Sequence, residues 1–177
     1  MKRVIIAAAV AALSLVGFAA EDFASYAHKA YVTFNYTGET PLENFTALVK
    51  IADGDGGFSY SACRADGQDV RFAGGDDVEL PSEVGAWNPD GTSEFWVKIP
   101  VFTAPTRICM YWGNENAGPR GDVAKAWDKN YAGVWHFDDE GAVMKDSSSY
   151  RNHGVTGTTS PRNAGMAGVC RTFDGNW

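Results

Sequence analysis

Two-residue alternation of apolar and polar side chains, cut every few residues by glycine-rich turns, is what most restricts the folds open to this chain. Residues 31–36 place Val32, Phe34 and Tyr36 on one side and Tyr31, Thr33 and Asn35 on the other, as a half-buried strand does. Residues 45–51 put Phe45, Ala47, Val49 and Ile51 inward and stop at the turn Asp53-Gly54-Asp55-Gly56-Gly57. After the Asp66-Gly67 turn, Val70 and Phe72 oppose Asp69 and Arg71, and 80–87 reads as a further strand entered through Pro81. In 94–99, Phe95, Val97 and Ile99 oppose Trp96 and Lys98; in 107–112, Ile108, Met110 and Trp112 oppose Cys109 and Tyr111. No helical period is sustained past a few residues, and only 121–130, with Val123, Ala124, Ala126 and Trp127, reads as a helical turn or linker. The expected fold is all-β, an antiparallel β-sandwich with Phe34, Val49, Val70, Phe72, Val97, Ile99 and Met110 inside.

The first residues lie outside that pattern. Met1, Lys2 and Arg3 form a positive start, 4–16 is an uncharged apolar run relieved only by Ser14, and Gly17, Phe18, Ala19 and Ala20 precede the acidic Glu21 and Asp22. This is the layout of a secretory signal peptide over residues 1–20. Cleavage is preferred to a retained membrane anchor, because the Ala-rich run is only moderately hydrophobic and small residues sit at its end. The expected location is therefore periplasmic, cell-surface or secreted, with no membrane span after cleavage.

Charge narrows the partners. The net charge is -7, and the 15 Lys and Arg residues form no cluster. A row of phosphates would go unneutralised, so nucleic acid is not an expected partner. Anionic lipid surfaces are disfavoured on the same ground, whereas sugars and proteins are not.

Candidate chemistry is sparse. Cys63, Cys109 and Cys170 leave two readings open: a Cys63–Cys109 pair with Cys170 joined to a partner elsewhere, or three buried free thiols. His28, His136 and His153 are scattered, and none stands near a Ser or Cys in a nucleophile-elbow arrangement. The run Asp53-Gly54-Asp55-Gly56-Gly57 lacks the later oxygen ligands of a calcium loop and reads as a plain turn. Asn35-Tyr36-Thr37 and Asn44-Phe45-Thr46 fit the glycosylation sequon but read as ordinary strand residues. No catalytic residue, cofactor or metal site is expected, and the chain is not read as an enzyme.

One constellation stands out. Asp69 and Arg71 share a strand face, as do Trp96 and Lys98, and Glu83 lies on a neighbouring segment. Were these strands side by side, carboxylates, cations and an indole would converge as a sugar site requires, with the ring stacking on a pyranose and charged groups bonding its hydroxyls. The plainer reading, preferred here, is an Arg71–Glu83 ion pair that fixes strand register with Trp96 covering it.

A family resemblance joins these segments. Pro41-Leu42-Glu43-Asn44-Phe45, then Ala65-Asp66-Gly67-Gln68-Asp69-Val70-Arg71-Phe72, then Leu80-Pro81-Ser82-Glu83-Val84 with Trp87 are the first of its motifs. Phe95-Trp96-Val97-Lys98-Ile99-Pro100 and Met110-Tyr111-Trp112-Gly113-Asn114 continue them. In this order they resemble domain of unknown function family 2341, over about residues 30–118. The resemblance implies an exported, multidomain bacterial protein in which a concanavalin A-like (laminin-G-like) jelly roll often follows. Gly133-Val134-Trp135-His136-Phe137-Asp138, Asp146-Ser147-Ser148, Asn152-His153-Gly154 and Phe173-Asp174-Gly175 resemble the opening strands of such a jelly roll.

The expected organisation is thus a signal peptide at 1–20, a sandwich at 21–118, a linker at 119–130, and at 131–177 an incomplete jelly-roll β-sandwich whose remainder, with any downstream domains, is missing. The expected function is a non-catalytic extracellular or cell-surface binding module for glycan or another extracellular polymer. The alternative is a structural spacer that positions a downstream enzyme or membrane assembly. Because 119–130 turns the chain and Val134, Trp135 and Phe137 need cover, the second segment is expected to dock on the sandwich or to gather its own strands around Trp135.

Overall fold

The computed structural model describes residues 21–155, 162–165 and 169–172. The leader expected at 1–20 and the Phe173-Asp174-Gly175 motif lie outside these residues.

The alternating segments become β1 (His28–Phe34), β2 (Leu42–Ala52), β3 (Arg71–Ala73), β4 (Ser82–Ala86), β5 (Thr92–Phe102) and β6 (Thr106–Trp112). They form two three-stranded antiparallel sheets, in the orders β1-β6-β3 and β2-β5-β4. The chain crosses from the second sheet to the first at 103–105, where Thr106 Oγ1 accepts from Thr103 N at 2.7 Å and donates to Thr103 O at 2.8 Å.

Between the sheets lies one apolar core. Val49, Val70, Phe72, Val97, Ile99 and Met110 are all buried in it, as the alternation requires, along with Phe58, Phe95 and Trp112. Phe34 is half-buried against its edge. Phe45 keeps the inward phase opposite Ile99 but is 37% exposed. It belongs to an aromatic group with Phe34, Tyr36 and Phe102, in which each ring lies 5.0–5.3 Å from that of Phe102. Just before Phe45 the β2–β5 register skips Asn44 and Pro100: a proline has no N–H for the ladder, and Asn44 takes the left-handed backbone with φ 52°.

The outer faces depart from a simple two-sided pattern. β6 is buried on both sides except at Arg107, because residues 21–27 fold back over it and Phe23 stacks on Tyr111 at 4.4 Å. Tyr26, Ala73, Cys109, Tyr111 and Ala117 form a second, smaller apolar cluster there. No disulfide joins Cys63 and Cys109, so of the two readings the bridge within the sandwich does not form; Cys109 is buried and Cys63 half-buried.

After β6, a 3₁₀ turn over Val123–Ala126 occupies the stretch that reads as a helical turn or linker. Two small antiparallel pairs follow: β7 (Val143–Met144) with β8 (Gly154–Val155), and β9 (Arg162–Ala164) with β10 (Val169–Arg171). The apolar strand expected around Trp135 is reduced to a single bridge between Trp135 and Asp146. Phe137 takes the left-handed backbone, and Trp135 stays 37% exposed, folded over Gly133 with its indole N–H donated to Asn152 O. The organiser is polar. Asp146, 2% exposed, accepts the N–H groups of Val134, Ser148 and Asn152 and the Ser148 hydroxyl, all at 2.7–2.8 Å.

Candidate functional site

The outer face of the β2-β5-β4 sheet carries the polar residues of the alternation. Phe95, Val97 and Ile99 point to the core, which leaves Trp96 and Lys98 on the other side, and Glu83 of β4 is the cross-strand partner of Trp96. Gly85 leaves room for the indole, since a Cβ there would lie 2.9 Å from Trp96 Nε1.

The segment from 121 onward closes over this face. Asp122 caps the 3₁₀ turn by accepting Ala124 N at 3.1 Å, and Thr46 of β2 donates its hydroxyl to Ala126 O at 2.6 Å. The turn delivers Trp127 onto Trp96, ring centroids 5.4 Å apart, and His136 lies 6.0–6.2 Å from both indoles.

Glu83 is the centre of the closure. Its Oε2 accepts the Trp127 indole N–H at 2.7 Å and faces His136 Nε2 at 3.1 Å, while its Oε1 accepts the Ser147 hydroxyl at 2.6 Å. Burial pushes the Glu83 carboxyl up, but the bonds from His136, Ser147 and Trp127 outweigh it and hold the group below its ordinary range. Burial pushes His136 down, and the Glu83 carboxylate outweighs that and raises it. The serine hydroxyl is bonded to a carboxylate of lowered basicity and not to the imidazole, so the three groups share an acceptor instead of forming a nucleophile–base relay. Chemically the arrangement is a clamp: one carboxylate on β4 fastens three positions of the covering segment.

Of the five residues expected to converge, three do. Glu83, Trp96 and Lys98 share the outer face just described, whereas Asp69 and Arg71 belong with the other sheet. Both are 0% exposed. Asp69 accepts the backbone N–H groups of Arg64, Gly113 and Asn114 at 2.9–3.3 Å, tying the loop after β6 to the loop before β3. Arg71 donates to the carbonyls of Gln68, Val70 and Gly118. The Arg71–Glu83 ion pair does not form; Arg71 Nε lies 3.3 Å from Glu79. The reason is sheet assignment: β3 pairs with β6 and β4 with β5, so adjacent segments of sequence enter opposite layers.

Beside the clamp is an open cleft of about 670 Å³ between the sheet and the covering segment. Pro81, Pro100, Ala124 and Trp127 supply apolar walls, and Asn44, Lys98, Asp122, Lys125, Asp128, Lys129, Asn130 and Ser149 supply polar ones. Lys98 is the one residue of the expected set that lines it. Trp127, His136 and Ser147, together with the polar residues of the cleft, were not among the expected site residues. His136 and Ser147 fall in motifs visible in the sequence, but nothing there says that they meet Glu83.

Among the described residues no cluster of three His, Cys, Asp or Glu side chains is placed to hold a metal ion. In the 53–57 turn, Asp53 accepts Tyr60 N and Asp55 accepts Ala52 N, so both carboxylates close the loop itself. No helix among the described residues is long and apolar enough to cross a membrane.

Fold and site together define an antiparallel β-sandwich with its own chain clamped over one sheet. Residues 66–153 match the model of a family described as Domain of unknown function (DUF2341). The match begins later than the motif resemblance, which starts near residue 30, and runs on through 119–130 to His153. The covering segment thus lies within the matched region, together with β4 and β5 of the sheet it covers, whereas β2 precedes the match. No curated protein and no solved structure matches the chain.

Proposed function

We propose that this chain is an exported, non-catalytic binding module for glycan or another extracellular polymer, and that the polymer lies in the cleft beside Lys98. The observation that carries the reading is the cleft itself. Its volume, about 670 Å³, falls within the roughly 300–1,000 Å³ typical of ligand sites. Sugar rings present apolar C–H faces and hydroxyl edges together, and this cleft offers the matching pair of surfaces: Pro81 and Pro100 against amide, ammonium and hydroxyl groups. Glu83 and Trp96 serve it indirectly, by holding the covering segment that forms one wall. Export rests on the 1–20 leader pattern. The resemblance of residues from 131 to the opening of a concanavalin A-like domain belongs to the same proposal and rests on the motifs alone.

A structural spacer is the second reading. It draws on the way residues 21–27 and the segment from 121 cover the outer faces of the two sheets with the chain's own side chains. Polysaccharide pull-down and glycan-array binding with the whole chain, beside a Lys98→Ala variant, separate the two. Retention that drops in the variant is expected. Absence of retention on every polymer would leave the spacer.

A further inference from the structure

We infer that the cleft selects acidic glycans, those bearing a carboxylate on the sugar ring, over neutral ones; this rests on the cleft being a glycan site and adds the charge of its ligand. Three ammonium groups, those of Lys98, Lys125 and Lys129, line the cleft together with the carboxylates of Asp122 and Asp128. Local hydrogen bonds fix the carboxylates in place without removing their charge, so the lining carries three cations against two anions. Asp122 Oδ1 caps Ala124 N at 3.1 Å, while Asp128 accepts Asn130 N at 2.7 Å and the Asn130 side-chain amide at 3.2 Å. The lysines are not ion-paired: the ion pairs among the described residues are Lys50–Glu94, Arg64–Asp66, Arg71–Glu79, His136–Glu83 and Lys145–Asp139, none of which involves a lysine of the cleft.

The three cations also come from both walls. Lys98 stands on β5, the central strand of its sheet, with its stem half-buried, while Lys125 and Lys129 are exposed on the covering segment. A uronic acid carries its carboxylate beside an apolar ring face, so it can meet the ammonium groups while the ring lies against Pro81 and Pro100, the accessible apolar residues of the cleft. The net charge of -7 repels polyanions at long range. Selection must therefore arise from contacts within the cleft, on the scale of a Debye length of about 10 Å at 0.1 M salt.

The test is titration calorimetry of the whole chain with oligomers of polygalacturonate, with dextran as the neutral polymer and dextran sulfate as the anionic control. Lys98→Ala and the double variant Lys125→Ala/Lys129→Ala are compared with the parent, with tryptophan fluorescence confirming an intact fold. The inference expects galacturonate oligomers to bind at least about tenfold tighter than dextran, and each variant to lose about tenfold of that affinity with dextran unchanged. Equal binding of galacturonate and dextran, weakened alike in Lys98→Ala, overturns the inference and leaves the cleft as a neutral-glycan site, whereas equal binding unaltered in every variant overturns both the inference and the placement of the glycan in this cleft. Preference for dextran sulfate with no dependence on these lysines overturns it as general polyanion binding. Binding to none of the polymers removes the glycan reading and this inference with it.

Discussion

Glu83→Ala is the most informative single perturbation. The carboxylate is 9% exposed and accepts from Trp127, His136 and Ser147 at 2.6–3.1 Å, so its removal leaves three donors facing a void. Breaking a buried, hydrogen-bonded charge pair from one side costs about 3–5 kcal/mol. Glu83→Gln retains the shape and one acceptor oxygen, and should cost roughly 1–2 kcal/mol. The loss should be local before it is global, because the bonds join the covering segment to β4 and not the two sheets to each other. Urea unfolding followed by tryptophan fluorescence measures the total. Hydrogen exchange over 121–153 measures the opening of the cover.

The pH dependence of the same clamp has a definite sign. Glu83 is held below its ordinary 4.5, so its contribution is complete above that value and is lost as the pH falls through the lower folded value. His136 is raised above its ordinary 6.5, so its contribution is complete below that value and is lost as the pH rises through the higher folded one. The cover should therefore be most protected between about pH 4.5 and 6.5, with protection falling on both sides. Glu83→Ala should flatten both limbs. A variant with parental exchange over 121–153 and under about 0.5 kcal/mol of lost stability would refute the clamp.

Three further outcomes are expected. Asp146→Ala removes the acceptor of four hydrogen bonds at a buried position, and should raise amide exchange across 133–153 by an amount equivalent to about 2–3 kcal/mol while leaving β5 and β6 protected. Gly67→Ala sets a Cβ 2.5 Å from the Trp87 ring at φ 65°, and should destabilise the sandwich by about 1–3 kcal/mol in urea unfolding, with Trp87 fluorescence altered. Phe95→Ala empties a site that is 0% exposed and packed edge-on against Phe72, and should cost about 3–5 kcal/mol; a loss below 1 kcal/mol would place the core elsewhere.

The sequence by itself determined the strands and their inward faces. Val97 and Ile99 against Trp96 and Lys98, or Ile108 and Met110 against Cys109 and Tyr111, follow from two-residue periodicity, which is a local property of the backbone. It also singled out Lys98, and it placed Asp146-Ser147-Ser148 in a motif. Which strands pair is not local, and that decided the site. Because β3 joins β6 and β4 joins β5, Asp69 and Arg71 were carried to one layer and Glu83 to the other, out of reach of the expected ion pair. Alternation likewise marks Cys109, Tyr111 and Trp96 as facing away from the core, but only tertiary structure shows that residues 21–27 and the segment from 121 bury those faces. Glu83 meets Ser147, 64 positions away, because burying two indoles and satisfying one carboxylate are achieved by the same closure, a long-range gain that no local pattern encodes.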